Sequence, residues 1–296
     1  MSITAIILTL NEEIHIERCI HSLKGVCSDI LVVDSMSTDR TCELAEAAGA
    51  RVVQHEFVNH GLQFNWALEN CNIQSEWIWR VDADEYIDET LGNEVKKTIE
   101  LCPQDVNGLY VRRAVVFMGK KLRFGGWRPH YYLKIIRRGH GKSETRWMDE
   151  HLHVTDGNFI KIRKGFQTDE NLNSLHWWIN KHNNYSNNEA IETLFLKYGK
   201  DIDRGGVKPK LFGTQEQKKR WMKKLYVHLP MFLRATLYFF YRYFILLGLL
   251  DGKAGMIWHG IQGWWYRTLV DAKIYEIKKQ CDFDKEKIKD FIKSQI

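Results

Sequence analysis

Hydrophobic positions follow two different periods along the first eighty residues. Thr4-Ala5-Ile6-Ile7-Leu8-Thr9 is a nearly unbroken apolar run with β-branched residues, which predicts a strand buried on both faces. Ile16, Cys19, Ile20 and Leu23 then recur at i, i+3, i+4 and i+7, the spacing of one helix face. Ile30-Leu31-Val32-Val33 predicts a second buried strand ending in Asp34, and a short helix follows from the Ser37-Thr38 region to Gly49. Arg51-Val52-Val53-Gln54 predicts a third strand, residues Gly61 to Asn70 a third helix, and Trp77 to Val81 a fourth strand. Apolar strands separated by helices indicate a mainly parallel sheet covered on both faces, an α/β fold. Ligands of such sheets bind at the carboxyl ends of the strands. Asn11-Glu12, Asp34 and Asp82-Ala83-Asp84 all fall at those ends.

The pair Asp82 and Asp84 is the sharpest chemical signal. If the strand stays extended through it, residues i and i+2 share a face and the two carboxylates converge. Two hard-oxygen donors suit Mg²⁺ or Mn²⁺, and such a cation is well used in neutralising a diphosphate leaving group. Acidic pairs also occur on solvated loops, so the position at a strand end carries the weight.

Thr9-Leu10-Asn11-Glu12-Glu13, Val33-Asp34-Ser35-Met36-Ser37-Thr38-Asp39-Arg40-Thr41 and Val81-Asp82-Ala83-Asp84-Glu85 resemble the successive signatures of family 2 inverting glycosyltransferases with the GT-A fold. Phe117-Met118-Gly119-Lys120, Gly125-Gly126-Trp127 and Trp147-Met148-Asp149-Glu150-His151 continue the resemblance over about two-thirds of the chain. Leu249-Leu250-Asp251-Gly252-Lys253-Ala254-Gly255 is similar to the subset that builds bacterial lipopolysaccharide core and exopolysaccharide. The resemblance implies a nucleotide-sugar donor, with a uridine diphosphate hexose first in line, and a saccharide acceptor on lipopolysaccharide core or a lipid carrier. It places Thr9, Asn11, Glu12, Asp34, Asp39, Gln63, Asn65, Asp82 and Ala83 around the nucleotide sugar, with Asp34 taking a ring N–H of the base. Asp39 equally suits a helix-cap role, and Gln63 and Asn65 an ordinary polar helix face. Trp127 either packs on a pyranose ring or belongs to the core.

Inversion by direct displacement needs a general base for the acceptor hydroxyl. The resemblance implies Glu150 for that role, with Asp149 second. His151 or His153 is implied as a further ligand of the metal held by Asp82 and Asp84, or else hydrogen-bonds within the core. The cluster lacks the H-E-x-x-H spacing of a metallohydrolase. A nucleotidyltransferase-like enzyme would carry a glycine- and arginine-rich loop where Thr9 to Glu13 stand, and a non-catalytic scaffold would not need Asp82, Asp84 and Glu150.

Composition adds bounds. The 296 residues, 44% of them apolar, suffice for one substantial core and an appendage. Six cysteines without a CxxC pair are expected to stay reduced, and no cleavable leader is legible, so a cytosol-facing protein is expected. The formal charge of +6 concentrates in Lys120 to Arg138 and in Lys218 to Lys224. Nucleic acid is not expected as a partner, because the aromatic residues cluster in one apolar stretch instead of spreading along a basic groove.

That stretch, Leu225 to Leu250, is interrupted by Pro230, Arg234 and Arg242, and falls short of the ~18–20 apolar residues needed to cross a bilayer. Drawn as one helix, Arg220, Lys223, Lys224, His228, Arg234 and Arg242 form a basic arc opposite Leu225, Leu229, Phe232, Leu233, Phe239, Phe240, Tyr243, Phe244 and Leu247. An interfacial helix on the inner face of the cytoplasmic membrane is the expectation, with Trp258, Trp264, Trp265 and Tyr266 at headgroup level. The alternative is a core helix whose arginines reach solvent. His176 to Ala190 reads as a helix that either grips the diphosphate or docks onto the sheet, and residues 199 to 217 as a joining loop. The expected division is a catalytic domain over 1–215 and a helical region over 216–296.

Overall fold

The computed structural model describes residues 2–127, 130–144, 151–198, 212 and 215–295. The chain forms two compact units, one of Met1–Leu122 with Trp127–Asn173 and one of Arg123–Gly126 with Ser174–Ile296. The division therefore falls near residue 173, ahead of the expected boundary at 215.

In chain order the first unit contains β1 (Ile3–Thr9), α1 (Ile16–Leu23), β2 (Asp29–Asp34), α2 (Thr41–Ala47), β3 (Arg51–Gln54), α3 (His60–Asn70), β4 (Trp77–Asp82), β5 (Glu85–Ile87) and α4 (Glu89–Leu101). It continues with β6 (Val106–Phe117), β7 (Lys120–Lys121), β8 (His130–Arg137), β9 (Gly141–Ser143), β10 (Leu152–Val154), β11 (Asn158–Lys161) and β12 (Gln167–Glu170). Ten strands make a mixed sheet with the path β3-β2-β1-β4-β8-β6-β12-β5, while β7 and β11 both pair with β6. The quarter β3-β2-β1-β4 is parallel, and β8 runs antiparallel to both β4 and β6. The small hairpin β9–β10 stands apart.

Continuous apolar runs follow from burial on both faces. Ile3, Ala5 and Ile7 of β1 join a core with α1, α2 and α4, while Ile6 and Leu8 join another around Phe64 and Ala67 of α3. A strand serving two helical layers buries side chains on both of its faces. β1 also lies between β2 and β4, so the chain reverses its direction of winding there. The carboxyl edge of such a reversal opens a crevice, the usual ligand site of α/β sheets.

The second unit is helical: α5 (Leu175–Tyr198), α6 (Gln215–His228), α7 (Leu233–Phe240), α8 (Gly252–Trp258), α9 (Tyr266–Gln280) and α10 (Lys285–Ser294). Widened turns at Tyr241–Ile245 and His259–Trp265 and a tight turn at Gly248–Asp251 join its middle pieces. Its core is Ala190 and Leu194 of α5 against Tyr266, Val270 and Ile274 of α9 and Ile288 and Ile292 of α10. The His176 to Ala190 segment thus packs on helices of its own unit. The expected joining loop at 199–217 lies mostly outside the described residues.

The single basic-and-apolar helix expected over Leu225 to Leu250 does not form. α6 stops at His228 before Pro230, and Phe232 takes φ 65° to start α7 in a new direction. Arg234, Arg242 and Lys223 turn to partners within the unit, while Lys224 and His228 stay exposed. Arg234 is 3% exposed and binds Asp271 through Nε at 2.9 Å and through Nη2, while its Nη1 donates to the Val227 carbonyl. Arg242 donates to the Gly125 carbonyl and the Tyr238 hydroxyl, and Lys223 pairs with Glu189. The apolar side chains Leu233, Leu237, Phe240, Phe244, Ile245, Leu249, Leu250 and Met256 are exposed instead. Among the described residues no single helix is long and apolar enough to cross a membrane, although Leu233–Ile245 with Gly248–Gln280, bent by 70°, passes by length and composition as a pair.

The Leu249 to Gly255 motif has a structural explanation in this unit. The buried Asp251 carboxylate accepts the amides of Arg123 and Phe124, fixing the bend at Gly125. Gly125 has φ 69°, and a Cβ there would stand 2.2 Å from His259 Nε2, so no larger residue fits.

Candidate active site

Three parallel strands end side by side. Thr9 of β1 is opposite Asp34 of β2, and Leu8 of β1 is opposite Asp82 of β4. The loops after β1 and β2 lock together: the Asn11 amide donates to Ser37 Oγ, and Asn11 Oδ1 accepts the Thr38 amide at 2.9 Å. Asn11 has φ 56°, a left-handed conformation that asparagine tolerates better than most residues. The Glu12 amide donates to Thr41 Oγ1, and its carboxylate accepts from His15 Nδ1 at 2.6 Å. His15 Nε2 accepts the Leu172 amide, so the proton of a neutral His15 sits on Nδ1.

Asp34 is fully buried. Thr9 Oγ1, Ser37 Oγ, the Ser37 amide and Gln54 Nε2 all donate to its two oxygens. Burial works against its charge, but the Ser37 bonds, with Gln54 and Thr9, outweigh burial and hold its pKa below the ordinary carboxylate value. These four donors match the acceptor capacity of a carboxylate. Asp34 thus builds the floor of the loop, and a base N–H could reach it only by replacing one of them. Asp39 takes the amide and hydroxyl of Thr41 at the first turn of α2 and the Glu13 amide, which is the helix-end role.

Gln63 and Asn65 are also engaged inside the protein. Gln63 bonds His55 and Ser35, while Asn65 pairs with both the amide and the carbonyl of Ser143. Asn65 thereby ties α3 to β9 as a strand neighbour would. Trp127 is half-buried.

The acidic pair differs from its expected geometry. β4 stops at Asp82, and Ala83-Asp84 form a turn into β5, so strand alternation does not set the two carboxylates. Ala83 is buried under the turn. The Asp82 side chain is 41% exposed, with Oδ2 3.1 Å from Lys134 Nζ and Oδ1 3.9 Å from Arg80 Nε. Burial alone would raise its pKa, but Lys134, then Arg80 and His60, hold it well below the usual carboxylate range. Asp84 accepts from Asn171 Nδ2, and its carbonyl receives Arg18, which also pairs with Glu170. Behind them the buried Glu85 Oε2 accepts from Lys134, Gln167 and the Asp82 amide.

The stem of the second acidic cluster reaches the same place. Ser143 Oγ of β9 accepts Arg80 Nη1 at 3.1 Å, only two residues from Asp82. The Glu144 amide donates to the His151 carbonyl, and the His151 amide donates to Glu144 Oε2, across the base of the segment between β9 and β10. Asp149 and Glu150 themselves lie outside the described residues. His153 Nδ1 is buried with no hydrogen-bond partner among the described residues, and burial first, then Lys142, lowers its pKa.

The four-donor metal set of Asp82, Asp84, His151 and His153 is not assembled: among the described residues no three His, Cys, Asp or Glu side chains come together as a metal site. Asp82 and Asp84 remain, as two partly exposed hard carboxylates at one turn. Such a pair fits a divalent cation that takes its other ligands from water and a bound diphosphate. Sequence reasoning missed Arg80, Glu85, Lys134, Arg18 and His15. Arg80 was accessible, being two residues before Asp82 on the same strand. Lys134 comes from a neighbouring antiparallel strand and left no local signal.

The model of the family "Glycosyl transferase family 2" matches residues 4–168, more than half of the chain, from the start of β1 into β12. The chain belongs to glycosyl transferase family 2. Among curated relatives, the lipopolysaccharide core biosynthesis glycosyltransferase LpsC of Rhizobium meliloti is 31% identical over 170 residues, covering 56% of this chain and 62% of LpsC. An uncharacterized glycosyltransferase of Rickettsia bellii is 39% identical over 94 residues, 32% of this chain and 31% of that protein. The match spans less than two-thirds of the length of either relative. Glucosyl-3-phosphoglycerate synthase from Mycobacterium tuberculosis, solved with Mn²⁺ and uridine diphosphate, is 25% identical with a TM-score of 0.32, covering 38% of this chain and 44% of that one.

Proposed function

We propose that this chain is an inverting hexosyltransferase of the GT-A type, taking its sugar from a uridine diphosphate hexose. The acceptor would be a hydroxyl of lipopolysaccharide core or of another lipid-linked saccharide, in keeping with LpsC as a lipopolysaccharide core biosynthesis glycosyltransferase. One observation carries the reading: β1, β2 and β4 end together at a winding reversal with Asp82 and Asp84 at its rim.

The interlocked loops of Asn11-Glu12 and Ser37-Thr38 would receive the nucleoside. Asp82 and Asp84 would hold Mg²⁺ or Mn²⁺, which neutralises charge on the departing diphosphate. The acceptor oxygen bonds to the anomeric carbon as the bond from that carbon to the diphosphate breaks. Glu150, with Asp149 as the second candidate, takes the acceptor proton. A panel of sugar nucleotides, followed by mass spectrometry of the released diphosphate and of the glycosylated acceptor, tests this. Glu150→Gln should keep nucleotide affinity while transfer falls by roughly 10²–10⁴-fold. If Asp149→Asn behaves so and Glu150→Gln does not, the base is Asp149; full activity in both places it elsewhere.

The same reading gives the second unit a lipid surface as partner, at the inner face of the cytoplasmic membrane. The support is the inverted distribution of polarity: Arg234, Asp271 and Asp251 are buried while Phe240, Phe244, Ile245, Leu249 and Leu250 face outward. Contiguous exposed apolar side chains of this extent mark interaction surfaces. The attachment is therefore apolar, not the contact of a basic arc with headgroups. In vesicle flotation the wild type should bind neutral and anionic vesicles with little response to salt, and Phe244→Asp with Ile245→Asp should release it. A wild type that never floats contradicts the membrane assignment.

A further inference from the structure

We propose that Lys134 is the resident counter-ion of Asp82, and that it makes entry of a divalent cation at Asp82 and Asp84 dependent on a bound nucleotide diphosphate. This rests on the metal reading of the acidic turn given above. Lys134 is 12% exposed and holds two carboxylates at once, Asp82 Oδ2 at 3.1 Å and Glu85 Oε2 at 2.8 Å. Glu85 is nearly inaccessible and is itself fixed by Gln167 and the Asp82 amide. The ammonium therefore stays at the turn even when Asp82 engages another partner.

Charge balance explains the dependence. Asp82, Asp84 and Glu85 bring three negative charges, Lys134 and Arg80 (3.9 Å from Asp82) bring two positive ones, and Arg113 (4.0 Å from Glu85) is paired with Asp169. A divalent cation arriving alone meets a cluster whose charge is largely compensated and an ammonium already on the carboxylate it needs. A nucleoside diphosphate adds at least two negative charges at the strand ends, which favours the incoming cation and offers Lys134 a phosphate oxygen. Removing one positive charge within a few ångströms of a partly buried site changes cation affinity by an order of magnitude or more.

Mn²⁺ titration followed by electron paramagnetic resonance reads this without requiring turnover. Without nucleotide, the wild type should bind Mn²⁺ weakly, and saturating uridine diphosphate should tighten it at least about tenfold. Lys134→Met, similar in length but uncharged, should bind Mn²⁺ about tenfold more tightly than wild type without nucleotide, and should lose most of the tightening by nucleotide. Lys134→Arg should resemble the wild type, showing that charge and not packing is responsible. Equal nucleotide-free affinity in the wild type and Lys134→Met, with Asp82→Asn abolishing binding, overturns the role of Lys134 alone. No Mn²⁺ binding in any variant, even with uridine diphosphate, overturns the metal reading and this proposal with it.

Discussion

Asp82→Asn should lower turnover by at least about 10²-fold while leaving the fold intact, because it removes a charge that acts only when a diphosphate and its cation are present. The separation of the two effects follows from the surroundings. Asp82 stands at a strand tip with a partly exposed side chain, and its partner Lys134 keeps a second carboxylate in Glu85. No charge is orphaned, so the stability cost should stay near about 1 kcal/mol. Glu85→Gln is the contrasting case, since it strips the buried hub on which Lys134, Gln167 and the Asp82 amide converge. Initial rates at limiting metal, read beside thermal unfolding, check the pair. Near wild-type turnover in Asp82→Asn would remove the acidic turn from the mechanism.

The largest stability effect is expected in the second unit. Asp271→Asn should destabilise it by about 3–5 kcal/mol, because Arg234 is left charged and buried. The Asp271 carboxylate takes both Arg234 and the Phe232 amide, so it anchors the turn after Pro230 to α9. Replacing both partners with apolar residues, Arg234→Met with Asp271→Leu, should recover much of the loss, because no buried charge then lacks a partner. Thermal unfolding of the three proteins decides it: an Asp271→Asn that melts with the wild type would mean the pair is not buried in solution.

β1, β2 and β4 were legible because burial on both faces leaves an unmistakable apolar run. Arg51–Gln54 was found residue for residue, and the third helix within one residue. Hydrophobic periodicity reports on a segment's own neighbours, and there it succeeded. The reading of Leu225 to Leu250 failed because a helical projection assumes one straight helix, whereas Pro230 and the left-handed Phe232 break it. Arg234 then meets a partner 37 residues downstream, at Asp271. No local pattern announces that partner.

The site shows the same division. The residues at strand ends were placed correctly by topology, but their roles depended on donors from elsewhere. Asp34 is a ligand contact by the resemblance, and the structure adds that Ser37, Thr9 and Gln54 donate to its oxygens. Asn65 was expected beside the nucleotide sugar or on a polar helix face, and its bonds to the backbone of Ser143 had no local signal. The acidic pair was found from sequence, yet Lys134 beside it emerges only when β8 inserts between β4 and β6.

The most direct measurement is the anomalous scattering of Mn²⁺ in crystals grown with uridine diphosphate. One strong manganese peak is expected at the Asp82-Ala83-Asp84 turn, beside the diphosphate, with the nucleoside across the Asn11 and Ser37 loops. A diphosphate bound away from the carboxyl ends of β1 and β4, or a manganese peak that does not touch Asp82, would contradict it.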